Sequence, residues 1–202
     1  MKRLPEDAES DFKSLTEEIL TSGYVCRRCG ACCREVSPGS NIVMVSPGEV
    51  RAIMKATGLL FDEVAEPYPD TIRENDREYT LGWAIRRTGE QCRFLTASGC
   101  QVYENRPWIC RTYPFMLDRG KLRSFPCEGI RSDAEGLLTT PSERVDTCSL
   151  NEEAEALALV LRQRQAAEEA EEQRIAAVFN TQSIPQGRLI VIDGEGIRVI
   201  NG

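Results

Sequence analysis

Histidine is the most informative absence from this sequence, because none occurs among its 202 residues. A chain without imidazole groups cannot form a histidine-ligated metal site, a Ser-His-Asp triad or a Cys-His pair, and it has no histidine to act as a pH switch. Any metal that it binds must therefore be held mainly by sulfur, with carboxylates as the remaining donors.

Clusters of positive charge and long apolar runs are also missing. The formal net charge is −7, and no run of Lys and Arg occurs, which disfavours a nucleic-acid partner. No apolar run approaches the roughly 20 residues of a membrane-spanning helix. The opening "MKRLPEDAES" turns acidic at once and does not read as a signal peptide. We therefore expect a cytoplasmic protein with no membrane partner.

Cysteine, by contrast, is abundant, with nine residues in the chain. Disulfides are rare in reducing compartments, and an odd total would leave one sulfur unpaired, so ligation of a metal or cluster explains the cysteines better. Four of them fall within eight positions of the segment "YVCRRCGACCREV": Cys26, Cys29, Cys32 and Cys33.

The spacing C-x2-C-x2-C indicates what this segment binds. Three thiolates at that spacing can hold three corners of a [4Fe-4S] cluster, with the fourth ligand supplied from elsewhere in the chain. A single zinc ion more often takes two close pairs that lie far apart in sequence, although "CRRCG" is also typical of a zinc knuckle. An iron-sulfur cluster is the leading interpretation, and zinc is the alternative.

Later cysteines bring the candidate ligands to eight, enough for one or two centres. These are Cys92, Cys100, Cys110 and Cys127. Adjacent side chains diverge, so we expect Cys32 and Cys33 to serve different centres. One centre would hold the C-x2-C-x2-C cysteines with Cys110 or Cys127, and the other would hold Cys33 with Cys92, Cys100 and the remaining one of that pair.

Two of the later cysteines have a plainer alternative. A lone cysteine is often a small buried hydrophobe, and this applies to Cys92 and more strongly to Cys148. Cys148 stands just before a long helix and is left over from the set of eight. It would be a free thiol, an alternate ligand or a residue that faces a partner.

Arginines accompany the cysteines. A zinc ion or an oxidised four-iron cluster with four thiolates carries a net charge of about −2, which nearby guanidinium groups would stabilise. Six arginines lie within a few residues of a cysteine: Arg27, Arg28, Arg34, Arg93, Arg106 and Arg111. Solvation at the surface is the alternative, and it fits Arg27 and Arg28 better than Arg106 and Arg111, which flank aromatic residues.

Helical patterns occur at four places. Apolar spacing predicts a helix over 7–22, and a capping box at Ser46 predicts another that Gly58 ends. Pro107 opens a single turn that carries Trp108 and Cys110. The longest pattern covers 149–180, and its middle is polar nearly all round, as in helices that pack on a partner.

Strand patterns are short. They predict strands over 41–45, 79–87 and 121–125, and a hairpin over 188–200 that turns at "DGEG". Residues 59–78 and 128–147 read as polar irregular segments. The prediction is an α+β fold, irregular around its metal, with short strands, peripheral helices, a long C-terminal helix and a β-hairpin.

The cysteine segments together resemble a known family. "CRRCGACCR", "CRFL", "GCQVYENRPWICRTYPF" and "CEGI" occur in order over about residues 24–130. They closely resemble the YkgJ-type cysteine-cluster family, the CxxCxxCC domain described as zinc- or iron-chelating, and a similar block occurs in flagellin lysine N-methylases. The resemblance implies metal ligation at the eight cysteines from Cys26 to Cys127, although the family's usual C-P-G reads "CEG" here.

These observations favour a division of the chain and a class of function. We expect a metal-binding domain over 1–148 and a helix-hairpin arm over 149–202 for docking or homodimerisation. No nucleotide fingerprint, P-loop or nucleophile-base pair occurs, so no independent catalytic site is visible. Electron transfer, or a place in a redox or maturation complex with a protein partner, is the leading hypothesis. A structural zinc module for protein assembly is the alternative.

Overall fold

The computed structural model describes residues 6–35, 40–74, 76–130, 147–185 and 189–200. They form two compact units. Unit 1 comprises Met1–Cys29 and Thr112–Arg164, and unit 2 comprises Gly30–Arg111 and Gln165–Gly202.

The elements are mostly short. The helices are α1 (Glu6–Thr21), α2 (Pro47–Thr57), α3 (Phe61–Val64), α4 (Trp108–Thr112) and α5 (Thr147–Thr181), with 3-10 turns at Ala31–Cys33 and Tyr103–Asn105. The strands are β1 (Met44–Val45), β2 (Ala65–Pro67), β3 (Thr71–Glu74), β4 (Arg77–Leu81), β5 (Trp83–Ile85), β6 (Arg87–Thr88), β7 (Gln91–Cys92), β8 (Leu95–Thr96), β9 (Gly99–Cys100), β10 (Phe115–Asp118), β11 (Lys121–Ser124), β12 (Leu189–Asp193) and β13 (Gly196–Val199). The predicted α+β fold, with its long C-terminal helix and hairpin, is confirmed.

Unit 1 packs two helices around one hairpin. Leu15 and Ile19 of α1 and Leu161 of α5 surround Phe115, which opens the β10–β11 hairpin. The Tyr24 ring meets the Phe115 ring edge-on, with 5.3 Å between the centroids. The predicted strand over 121–125 is therefore the second strand of this hairpin, and the predicted helix over 7–22 is α1.

The main core of unit 2 lies between α2, α3 and a small antiparallel sheet with the strand order β1-β5-β2. Val50 and Ile53 of α2 are fully buried there with Val64, Trp83 and Phe94. The capping box of α2 is present as predicted, and Gly58 ends the helix in the left-handed region at φ 75°. Cys92, Cys100 and Cys110 also pack against this core.

A second sheet in unit 2 has the strand order β13-β12-β4-β3. The predicted hairpin is β12–β13, and β12 also pairs in parallel with β4, with Ile190 opposite Tyr79. Val178 of α5 packs with Tyr79, Ile190 and Ile192. The hairpin is therefore part of a sheet with residues from the middle of the chain, which its sequence alone does not indicate.

Two predictions about strands and loops are wrong. The single strand expected over 79–87 is broken at Gly82, which has φ 82° and donates its N–H to the carbonyl of Ile192. Because the chain bends there, β4 and β5 belong to different sheets. The segment 59–78 is not irregular, since it contains α3, β2 and β3.

The domain boundary expected between residues 148 and 149 stays a prediction. Each unit combines segments from the middle of the chain with part of α5, which runs from Thr147 to Thr181. The docking role assigned to residues 149–202 stays a prediction. Most of the loop predicted over 128–147 lies outside the described residues. Among the residues that are described, no helix is long and apolar enough to cross a membrane.

Candidate metal centre

Cys32 and Cys33 lie on a tight turn that a glycine makes possible. Gly30 has φ 70°, in the left-handed region, and its carbonyl accepts a hydrogen bond from the Cys33 N–H at 3.0 Å. A Cβ at Gly30 would lie 3.1 Å from side-chain atoms of Arg34 and Leu95, so the turn is packed as well as bent. The side chains of Cys32 and Cys33 are joined by a hydrogen bond.

Backbone pairing brings this turn to Cys92. Arg34 forms a bridge with Gln91, and the Glu35 N–H donates to the Glu90 carbonyl at 2.8 Å. Gln91 and Cys92 form β7, which is paired with β6. Residues 34–35 therefore lie against the turn of the hairpin that ends at Cys92.

Cys100 is placed by the next hairpin. It lies on β9 opposite Leu95 of β8, and the Gln101 N–H donates to the Phe94 carbonyl at 2.9 Å. Phe94 is buried at the centre of the unit 2 core, and Cys92 and Cys100 pack against that core. The aromatic side chain thus supports two cysteines that are eight positions apart.

Cys110 lies on the one-turn helix α4. The turn predicted after Pro107 is present, and a second helix stabilises its start, since the Trp108 N–H donates to Oε1 of Glu49 at 2.8 Å. The other carboxylate oxygen of Glu49 accepts hydrogen bonds from the Ser46 backbone and hydroxyl. One carboxylate therefore caps both α2 and α4, which fixes Cys110 relative to the core.

The thiols of Cys32, Cys92, Cys100 and Cys110 are electrostatic neighbours. Burial raises the pKa of Cys92, and negative charge on Cys100 and Cys32 raises it further, while the Phe94 amide bonds its sulfur and lowers it. Burial and the other three thiols raise the pKa of Cys110 in the same way. These four sulfurs, which come from four separate elements, therefore repel one another as thiolates. A cation bound among them would lower the pKa values of the thiols instead of raising them.

Cys33 is the fifth thiol of this group. Its hydrogen bond to Cys32 is the first cause of the raised pKa of Cys32. Because Cys32 is exposed as a residue, we attribute its raised pKa to this hydrogen bond rather than to burial. Unit 2 thus presents one more sulfur than a four-ligand centre needs.

Arg106 connects the segments that carry Cys100 and Cys110. Its Nε donates to the Tyr103 carbonyl at 3.0 Å, and one terminal nitrogen donates to the Cys110 carbonyl at 3.3 Å. The guanidinium carbon lies 3.8 Å from the centroid of the Tyr103 ring. The same charge lowers the pKa of both Cys32 and Cys110, against the larger effects of the neighbouring thiols.

The other three described cysteines belong to unit 1. Cys26 and Cys29 are exposed, and Cys127 is half-buried on a turn after β11. The Val25 N–H donates to the Gly129 carbonyl at 3.0 Å, which places the turn of Cys127 against the residue that precedes Cys26. The side chain of Cys148 lies outside the described residues.

Within unit 2, Cys32 is an electrostatic neighbour of Cys92 and Cys110. The expected grouping of Cys32 with Cys26 and Cys29 stays a prediction. In the part of the chain that the structure describes, no three Cys, Asp or Glu side chains are arranged to hold a metal ion. The four thiols are therefore neighbours rather than a closed ligand cage, and the ligand role of all eight cysteines stays a prediction.

The sequence reveals only part of what Glu49 and Arg106 do. The capping box identifies Glu49 only as a partner of Ser46, whereas its bond to Trp108 depends on the packing of α2 beside α4. The position of Arg106 beside Tyr103 indicates an arginine-aromatic contact, but its bond to the Cys110 carbonyl becomes visible only when α4 is in place.

Comparison with known proteins confirms the resemblance seen in the sequence. The family model for CxxCxxCC, described as "Putative zinc- or iron-chelating domain", matches residues 25–174. No curated protein matches the chain, and no solved structure matches it. The matched range contains every candidate ligand and supports metal binding by the cysteines. Because the match covers most of its residues, the chain belongs to the CxxCxxCC family of zinc- or iron-chelating domains.

Proposed function

We propose that unit 2 binds an iron-sulfur cluster, a [4Fe-4S] centre, through the thiolates of Cys32, Cys92, Cys100 and Cys110. The observation that carries the proposal is the electrostatic proximity of these four thiols, which come from four separate elements; three of them, Cys92, Cys100 and Cys110, pack against one buried core. Such a cluster accepts and releases one electron at a time. The function that follows is electron transfer, or a redox role within a maturation complex, together with a protein partner.

The donor set fits this group. All four donors are soft sulfurs, which suit iron-sulfur clusters and zinc better than magnesium or calcium. The charge of Arg106 offsets part of the negative charge that four thiolates bring, and its hydrogen bond holds the backbone at Cys110. The packing of Cys92, Cys100 and Cys110 on apolar side chains keeps water away from much of the ligand set.

Zinc is the second candidate, and the core packing of three of the four cysteines favours it as well. A tetrahedral zinc ion bound by four thiolates would link the two hairpins and α4, and its binding would contribute free energy of folding without redox chemistry. The module would then present a fixed surface for protein assembly.

Anaerobic analysis of the full chain distinguishes the two. A [4Fe-4S] centre predicts about four iron and four acid-labile sulfide per occupied site, with a sulfur-to-iron absorption band that bleaches on reduction. Stoichiometric zinc without iron or sulfide, and a spectrum that reductants leave unchanged, would contradict the cluster and support the zinc module.

A pair of variants tests the ligand assignment. Cys100→Ser is expected to remove the iron and sulfide of unit 2, because it deletes one of the four ligands. Cys33→Ser is the matched control, since it deletes a neighbouring thiol outside the four, and we expect it to keep the cluster. Loss of the cluster in Cys33→Ser and its retention in Cys100→Ser would contradict the assignment.

A further inference from the structure

A cleft of about 160 Å³ lies on unit 2, between α2 and the segment that leads into α4. Its first wall is the face of α2 that carries Gly48 and Ala52, which are exposed and four positions apart. The opposite wall is polar and aromatic and consists of Asn105, Arg106, Trp108 and Arg111. No cysteine lines the cleft, so it is separate from the proposed metal ligands.

Both arginines of the cleft are held by backbone carbonyls. Arg106 donates to the carbonyls of Tyr103 and Cys110, and Arg111 donates to those of Arg106 and Glu104. Within the described ranges, neither guanidinium forms an ion pair with a carboxylate. A guanidinium has more N–H donors than these bonds use. The two charges are therefore fixed in position and still have donors for a ligand.

The charge of the cleft favours a ligand with a single negative charge. Glu49 also lines the cleft, and both of its carboxylate oxygens already accept hydrogen bonds, from the Trp108 N–H and from Ser46. Its charge offsets one of the two guanidinium charges and leaves one positive charge in excess. A doubly charged anion would gain little more attraction from the arginines and would be repelled by Glu49. A monoanion such as a carboxylate therefore fits better than a phosphate.

The remaining lining residues indicate what such a carboxylate would be attached to. The Asn105 side chain forms no hydrogen bond within the described residues, so its amide is available to donate to an anion. The Trp108 ring and the Ala52 methyl group provide apolar surface beside these donors. A cavity of roughly this volume, about 150 Å³, is known to take benzene, so a ligand of about six heavy atoms fits.

We propose that this cleft binds a small organic acid through its carboxylate. The guanidinium groups of Arg106 and Arg111 hold the carboxylate, since their planar arrays of donors match its two oxygens. Its short hydrocarbon part lies against Ala52 and Trp108. The inference does not depend on which metal the cysteines bind, and it gives the chain a ligand site in addition to its metal centre.

The two tryptophans of the chain allow a test by NMR, because Trp108 lines the cleft and Trp83 is buried in the core. The full chain, labelled with nitrogen-15 and purified without oxygen, is titrated with sodium butyrate. We expect a saturable shift of the Trp108 indole signal and no shift of the Trp83 signal, whose N–H is bonded to Asp193. Butyramide has the same size without the charge and should shift neither signal.

Four results of this titration would overturn the proposal. A shift that does not saturate with butyrate would exclude a site, and an equal response to butyramide would exclude recognition of the charge. Tighter binding of inorganic phosphate than of butyrate would exclude the preference for a carboxylate. Binding of a blocked Ala-Glu-Ala tripeptide without binding of butyrate would assign the cleft to a protein partner instead of a small acid.

Three variants locate the site. Arg111→Gln should weaken butyrate binding about tenfold or more, because charge-assisted hydrogen bonds are lost. Arg73→Gln is the matched control, since it removes an exposed arginine of unit 2 that pairs with Glu78, and it should keep the affinity. Ala52→Leu retains both arginines but fills the cleft, so it should also weaken binding, with unchanged stability because Ala52 is exposed. Equal affinities of Arg111→Gln and Arg73→Gln, or an unaltered affinity of Ala52→Leu, would overturn the proposed site.

Discussion

Replacement of Arg106 by glutamine should destabilise unit 2 strongly, because one guanidinium group makes three contacts with the segments of Tyr103 and Cys110. Two hydrogen bonds, to the carbonyls of Tyr103 and Cys110, contribute about 1 kcal/mol each. Stacking of the charge on the Tyr103 ring at 3.8 Å contributes about 1 kcal/mol more. The expected loss in the free energy of unfolding is therefore about 3 kcal/mol, measured by urea denaturation of the metal-free chain.

Arg111 provides the matched control for this variant. It also donates to two backbone carbonyls, those of Arg106 and Glu104, and it lies 5.5 Å from the Trp108 ring. It is exposed, however, so water competes for each contact and Arg111→Gln should cost less than about 1 kcal/mol.

The variant Arg106→Lys tests the charge of Arg106 separately from its hydrogen bonds and its stacking on Tyr103. Arg106→Lys keeps a cation beside Cys32 and Cys110 but cannot form both hydrogen bonds and the stack together. We expect it to lose stability like Arg106→Gln while it binds zinc more tightly than Arg106→Gln does. Equal stability of Arg106→Gln and Arg111→Gln would refute the structural role, and equal zinc affinity of Arg106→Gln and Arg106→Lys would refute the electrostatic one.

Three other perturbations have definite expected results in chemical denaturation. Phe94→Ala should cost about 3–5 kcal/mol and loosen the hairpins of two cysteines, whereas Phe94→Leu should cost far less. Asp193→Asn should cost about 2 kcal/mol, because the buried carboxylate accepts hydrogen bonds from the Trp83 indole at 2.7 Å and from the Glu195 amide. The hydrogen bond from Arg51 lowers the pKa of the Glu195 carboxylate, so Arg51→Gln should cost less than about 1 kcal/mol at neutral pH. That difference should disappear as the pH falls through the lowered pKa, and a difference that persists in acid would contradict it.

The sequence predicts well those elements whose determinants are adjacent along the chain. The capping box at Ser46, the left-handed glycine at position 58 and the turn at "DGEG" all act over four residues or fewer, and each is present. The parallel pairing of β12 with β4 joins segments more than 100 residues apart, and neither strand pattern specifies its neighbour. The bend at Gly82 also depends on a distant segment, because the Gly82 N–H donates to the carbonyl of Ile192.

The candidate ligands follow from composition and spacing, and which of them share a centre stays a prediction. The C-x2-C-x2-C spacing places Cys32 with Cys26 and Cys29, because it assumes that the three cysteines share one loop. Within unit 2, the left-handed turn at Gly30 precedes Cys32, and pairing of residues 34–35 with the β6–β7 hairpin brings this turn to Cys92. The spacing of the cysteines alone does not specify these backbone contacts.

Three of the four cysteines proposed as ligands in unit 2 are supported by its core. A two-residue strand pair or a helix of one turn is not stable by itself in water. The β6–β7 and β8–β9 hairpins and α4 are held in place because Phe94 and Glu49 connect them to the core of unit 2. Since the four thiols are neighbours but do not form a closed ligand cage, metal binding would have to offset both the repulsion between thiolates and the cost of bringing the sulfurs together. Metal affinity in unit 2 should therefore depend on Phe94 and Glu49 almost as directly as on the cysteines.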